Sequence, residues 1–153
     1  MAFSEQDIIS EIATQERSIV GVKNSYGFAD NPDSLTTGLL PAVLHYIPVV
    51  ESSPAGHHNL WKNIIVVKSI ICVAPRTVQG GKLKFLENAA IPFGQKWRLK
   101  FQNDDVIKTL LANTISVRCF LTNLIYGAGG PELTVGDVEF IGWVGSFEFS
   151  NRA

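Results

Sequence analysis

The sequence predicts an α+β domain with the element order α-β-β-α(α)-β-β. Three observations predict it. Apolar residues recur at helical spacing near the N-terminus and again from Leu83 to Ala112. Between and after these blocks lie long runs too rich in Ile, Val and aromatic residues for a helix to be the first choice. Gly136-Asp137, flanked by LTV and VEF, has the composition of a two-residue hairpin turn with glycine at its first position. A chain of 153 residues is the size of one domain, 1–153, and such a domain buries about 68–70% of its unfolded surface.

The elements follow in order. Ser4-Glu5-Gln6-Asp7 is a capping-box pattern, with Ile8, Ile9, Ile12, Ala13, Ile19 and Val20 on one helical face behind it and Gly21 closing the helix. Asn31-Pro32-Asp33 and Gly38 mark a loop to about Leu40. Ala42 to Val50 reads as a peripheral strand, because Pro48 lacks the donor a central strand needs. After a loop at Ser52 to Asn59, Trp61 to Ala74 reads as a central strand. Trp61, Ile65, Val67, Ile71 and Val73 share one face; Lys62, Ile64, Val66, Lys68, Ile70 and Cys72 share the other. Arg76 to Lys82 connects it to a helical block in which Leu83, Leu86, Ala90, Phe93, Trp97 and Phe101 form a stripe. Pro92 either kinks one helix or starts a second. Asn103-Asp104-Asp105 offers a cap for a short helix through Ala112. Ile115 to Tyr126 is the third strand, and the strand after the hairpin runs to about Ser150. On it Ile141, Trp143, Phe147 and Phe149 share a face, and Gly142 and Gly145 mark a bend or a close backbone approach.

Net charge is −1, but the charges are segregated. Residues 1–60 carry −5, residues 61–118 carry +7, and residues 119–153 carry −3. Such segregation suits head-to-tail contacts between copies, or it disperses once the chain folds. Cys72 and Cys119 both lie in apolar strand runs and read as buried small hydrophobes in a reducing compartment. The polar, acidic N-terminus is unlike a signal peptide, and no apolar run reaches the ~20 residues of a membrane span. A soluble protein made in the cytoplasm is expected, with no membrane partner.

The candidate chemistries have plainer readings. His57-His58, with His45 upstream, is the one metal-like cluster, but no HxH, HExxH or CxxC accompanies it, so a solvated loop is expected and no metal or cofactor. Gly127-Ala128-Gly129-Gly130 leads into a hairpin rather than a helix N-terminus, so it is a β-loop and not a phosphate cradle. Lys82, Lys84, Lys96, Arg98 and Lys100 interleave with Phe85, Phe93, Trp97 and Phe101, a pattern that could bind single-stranded nucleic acid through segment 82–101. Three of these aromatics also fit the buried helical stripe, which leaves the bases as a solvated face. No Ser-His-Asp or GxSxG arrangement is visible, and no enzyme is expected.

The C-terminal passage YGAGGPELTVGDVEFIGWVGSFEF resembles the tail terminator, or tail completion, proteins of long-tailed siphophages and related prophage minor tail proteins. The resemblance rests on Tyr126-Gly127, on Gly136-Asp137 and on Phe140-Ile141-Gly142; LPAVLHYIPVVE and VVKSIICVAPR are similar to the family's first two strands. SSPAGHHNLW and the segment around Pro92 have no counterpart in that pattern, which leaves a neighbouring neck component such as a head-tail connector open. The resemblance implies a four-stranded, largely antiparallel sheet with helices packed on one face. It implies a structural virion protein of the tail or neck: six copies in a ring on the tail tube, docking the connector or stopper protein and letting DNA pass without holding it. The loops 52–60, 75–82 and 127–132 are then the expected partner contacts, through Pro54, Gly56, His57, His58, Arg76, Gln79, Lys82, Tyr126, Gly129 and Glu132.

Overall fold

The computed structural model describes residues 4–56, 60–76, 86–103 and 118–152. The first element, helix α1 (Glu5–Arg17), begins at Ser4, whose backbone is extended and whose Oγ accepts from the Asp7 N–H at 3.2 Å. It stops before Gly21. The Ser18 N–H bonds back to the Gln15 and Glu16 carbonyls, and Gly21, at φ +102°, turns the chain after the helix has ended.

Strands β1 (Asn24–Ser25), β2 (Ala42–Pro54), β3 (Trp61–Pro75), β4 (Arg118–Ala128), β5 (Thr134–Val135) and β6 (Val138–Arg152) make a mixed sheet of six strands. Its order is β1-β2-β3-β6-β4, with β5 paired to β6 off that path. The four long strands are the four expected ones, and they pair antiparallel throughout. The four-stranded expectation misses two-residue β1, which runs parallel to β2, and two-residue β5; both are too short for any periodicity to announce them.

β2 does not end at Val50 but continues to Pro54, opposite Trp61. A bulge between Tyr46 and Val49 takes up Pro48, so the missing N–H falls where the ladder is already interrupted. β4 likewise runs on to Ala128, and residues 115–117 and the short helix expected through Ala112 lie outside the described residues. The second described helix, α2 (Ile91–Asn103), continues without a break from one wide turn over Leu86–Ala90. Pro92 stands at the junction of the two, an irregularity within one helical stretch rather than the start of a separate helix.

Both helices pack on one face of the sheet. Ile8, Ile9 and Ile12 of α1 and Phe93 and Trp97 of α2 meet Val43, Ile65, Val67, Ile71, Phe147 and Phe149 in one cluster. The opposite face holds Ala42, Leu44, Ile70, Cys72, Phe140 and Val144, covered by Leu35 and Leu40 from one loop and Leu133 from another. The period-2 face assignment of β3 holds, although Trp61 at its start is exposed.

Glycines set the closest contacts. A Cβ on Gly145 would stand 2.3 Å from the Trp97 ring, and one on Gly94 would stand 2.1 Å from the Trp143 ring. Helix and sheet thus interlock reciprocally, each tryptophan lying over the other element's glycine. Gly142 is a close backbone approach, its Cβ position 1.8 Å from the Ile71 carbonyl oxygen. The hairpin turn Gly136-Asp137 has positive φ at both residues, the geometry of a type I′ turn, with Val135 paired to Val138.

Candidate functional site

The sheet sorts the expected contact residues to its two ends. β3 starts at Trp61 opposite Pro54 and finishes at Pro75 opposite Phe140, so the β2–β3 hairpin tip lies at one end and the β3 and β4 exits at the other. Pro54 and Gly56 are exposed at the tip, Gly56 with φ +92° and no atom near its Cβ position. His57, His58, Gln79 and Lys82 lie outside the described residues. Residues 52–54, 75 and 127–128, expected in loops, belong to strands.

At the far end Arg76, Gly129 and Glu139 form a unit. Arg76 Nη1 donates to Glu139 Oε2 at 2.7 Å, and the Gly129 N–H donates to the Phe140 carbonyl at 2.8 Å. A side chain on Gly129, at φ +86°, would meet both the Glu139 carboxylate and Arg76, so glycine is required there. Glu132 accepts from Lys68 Nζ at 2.9 Å, and that hydrogen bond raises the lysine above its ordinary value. Tyr126 stacks edge-on against Trp143, its hydroxyl buried without a hydrogen-bond partner among the described residues and its pKa raised by burial. The Trp143 Nε1–H donates to the Ala90 carbonyl at 2.8 Å.

The lateral edges differ from each other. At the β2 edge, Asn31 engages both the N–H and the carbonyl of His45, the Tyr26 N–H donates to the Val43 carbonyl, and β1 covers Ala42 and Val43. From Tyr46 outward no strand among the described residues pairs with that edge, and Val49, Val50 and Trp61 of the hairpin are exposed. β4 forms the other edge along its 11 residues. It contains no proline, and from Cys119 to Ala128 no charge. Phe120 is 46% and Ile125 56% exposed. Such an edge lacks the devices that usually blunt strand pairing. A groove of about 410 Å³ runs between α2 and β4, lined by Ile91, Arg98, Leu121, Leu124 and Trp143 among others.

The structure also contains a buried polar cluster that the sequence does not announce. Glu16 is fully buried; its Oε2 accepts from Trp97 Nε1–H at 2.8 Å, and its Oε1 accepts from Ser25 Oγ at 3.2 Å and is hydrogen-bonded to His45 Nε2. The Tyr26 carbonyl, 2.6 Å from His45 Nδ1, can only accept, so Nδ1 is the donor there and Nε2 shares the proton of its hydrogen bond with Glu16. This places His45 in the interior. The signal in the sequence is Glu16 at helical spacing from Ile8, Ile9 and Ile12, on the apolar stripe. Ser69 stands beside His45 in the sheet with a buried Oγ that has no hydrogen-bond partner among the described residues, and both ring nitrogens of His45 are occupied by other groups.

The described residues hold no group of three or more His, Cys, Asp or Glu suited to a metal ion, and no helix among them is long and apolar enough to cross a membrane. Cys72 and Cys119 are buried, and burial pushes the Cys72 thiol up to about 12, far from the thiolate a nucleophile needs. No protein-family model and no curated protein matches the chain.

Proposed function

We propose that the protein is a structural part of a long-tailed phage virion, a tail terminator whose copies form a ring of six on the tail tube and dock the head connector. One observation carries the reading. Among the described residues, the sheet leaves edge strand β4, uncharged from Cys119 to Ala128, and the outer part of β2 without a further neighbouring strand, with Phe120, Ile125, Val49 and Val50 exposed, surface that a lone subunit gains nothing by exposing. Closed rings need two different patches per copy, and the two edges differ in structure. Of the expected contact residues, Pro54 and Gly56 fall at one end of the sheet and Arg76 and Gly129 at the other, which suits a subunit with tube on one side and connector on the other. A head-tail connector would use the same features and differ only in its neighbours.

Adding the protein to a polymerising tail tube protein tests the reading. A terminator arrests growth and leaves a ring at one end of each tube; unchanged tube lengths with no end density contradict it. The rival reading, a nucleic-acid module using segment 82–101, loses its stacking platform at Phe93 and Trp97, which are buried; Lys96 and Arg98 remain exposed. A salt-dependent shift with single-stranded DNA at micromolar protein is its signature.

A further inference from the structure

We propose that the two lateral edges of the subunit fit each other: β4 of one copy pairs antiparallel with the outer part of β2 of the next, and basic α2 lies beside acidic α1 across that junction. The proposal rests on the ring reading and names its contact.

Strand direction makes the first argument. β2, β3, β6 and β4 alternate in direction across the sheet. A second copy set beside the first, in the same orientation, therefore brings its β2 antiparallel to the first copy's β4, continuing the ladder without a reversal. The free part of β2 begins at Tyr46, beyond the segment that β1 and Asn31 occupy. Val49 and Val50 there are exposed, as are Phe120 and Ile125 on β4.

The helices make the second argument. Both lie on the same face of the sheet, α1 beside β1 and β2, α2 beside β4. The lateral placement that pairs the strands thus sets α2 of one copy next to α1 of its neighbour. α1 carries Glu5, Asp7 and Glu11 at exposed or half-buried positions, with Arg17 its one base. α2 carries Lys96, Arg98 and Lys100 and no acid. A twofold pairing of β4 with β4 would instead set two basic helices side by side, so charge selects the head-to-tail arrangement over a symmetric dimer.

Complementary charge reversal tests this. Lys96→Glu/Arg98→Glu makes both edges acidic; Asp7→Lys/Glu11→Lys makes both basic. Each variant alone should self-associate on the order of tenfold or more weakly in sedimentation velocity, with circular-dichroism melts confirming that it is folded. Mixed at equal amounts, they should regain assembly as alternating rings, and that assembly should weaken with salt. Phe120→Lys, a charge on the part of β4 that comes level with Val49 of the neighbour, should block assembly in either background. Rings from the wild type that persist in both charge variants and in Phe120→Lys would overturn this interface while leaving the ring reading in place. A wild type that never associates, alone or on tubes, would overturn both.

Discussion

The Trp97 ring occupies the space directly over Gly145, with no room for even a methyl group between them. Trp143 stands in the same relation to Gly94, so α2 and β6 are locked by two ring-over-glycine contacts in opposite directions. Gly145→Ala and Gly94→Ala should each cost about 1–3 kcal/mol in urea unfolding, the usual cost of overpacking. Gly38→Ala, where nothing lies within 4 Å, should stay within about 0.5 kcal/mol. Equal effects at all three positions would contradict the interlock.

Glu16 links α1, α2 and β2 through Trp97 and His45. Truncating Glu16 leaves Trp97, Ser25 and His45 buried without the partner they share, so Glu16→Ala should lose about 3–5 kcal/mol by urea denaturation followed through tryptophan fluorescence. A loss under about 1 kcal/mol would mean that water reaches the pair.

Much of this fold was legible in the sequence, and the residues show why. The capping serine, the β3 face pattern and the Gly136-Asp137 turn are local signals read by local rules, and each stands as expected. What escaped is what depends on partners distant in sequence. Residue 16 is separated from 97 by 81 positions, so nothing near Glu16 reveals that an indole will satisfy it. The polar Ser52 to Asn59 run reads as a loop, and only its pairing with Trp61, Lys62 and Asn63 explains why β2 extends to Pro54. For the candidate site, the glycine-rich loop and Arg76 were legible as surface features, whereas their meeting at Gly129 is a product of sheet register.

Cys72 supplies a pH dependence with a definite sign. Its thiol goes from an ordinary 9.0 to about 12 on burial, so the folded state disfavours the thiolate. Stability from this group is present below about pH 9 and is lost as pH rises from there towards 12, by about 1.4 kcal/mol per pH unit. Cys72→Ser should flatten that alkaline limb. In the native wild type at pH 8, a thiol reagent should label Cys72 only on the timescale of unfolding; rapid labelling would contradict its burial.

Arg76 and Glu139 are both about half exposed, and an exposed pair of this kind contributes little to stability. Arg76→Ala should lower stability by less than about 1 kcal/mol. On the assembly reading it should nevertheless weaken tube capping, because Arg76 lies at an end of the sheet that meets a partner. Normal capping with a large fall in melting temperature would reverse that assignment.

The most direct measurement is negative-stain electron microscopy of the purified protein, concentrated in magnesium buffer and then incubated with tail tubes, with class averaging of the particles. The account predicts closed sixfold rings, free or seated on tube ends, with a central hole wide enough for duplex DNA. Compact single subunits under both conditions, and bare tube ends, would contradict it.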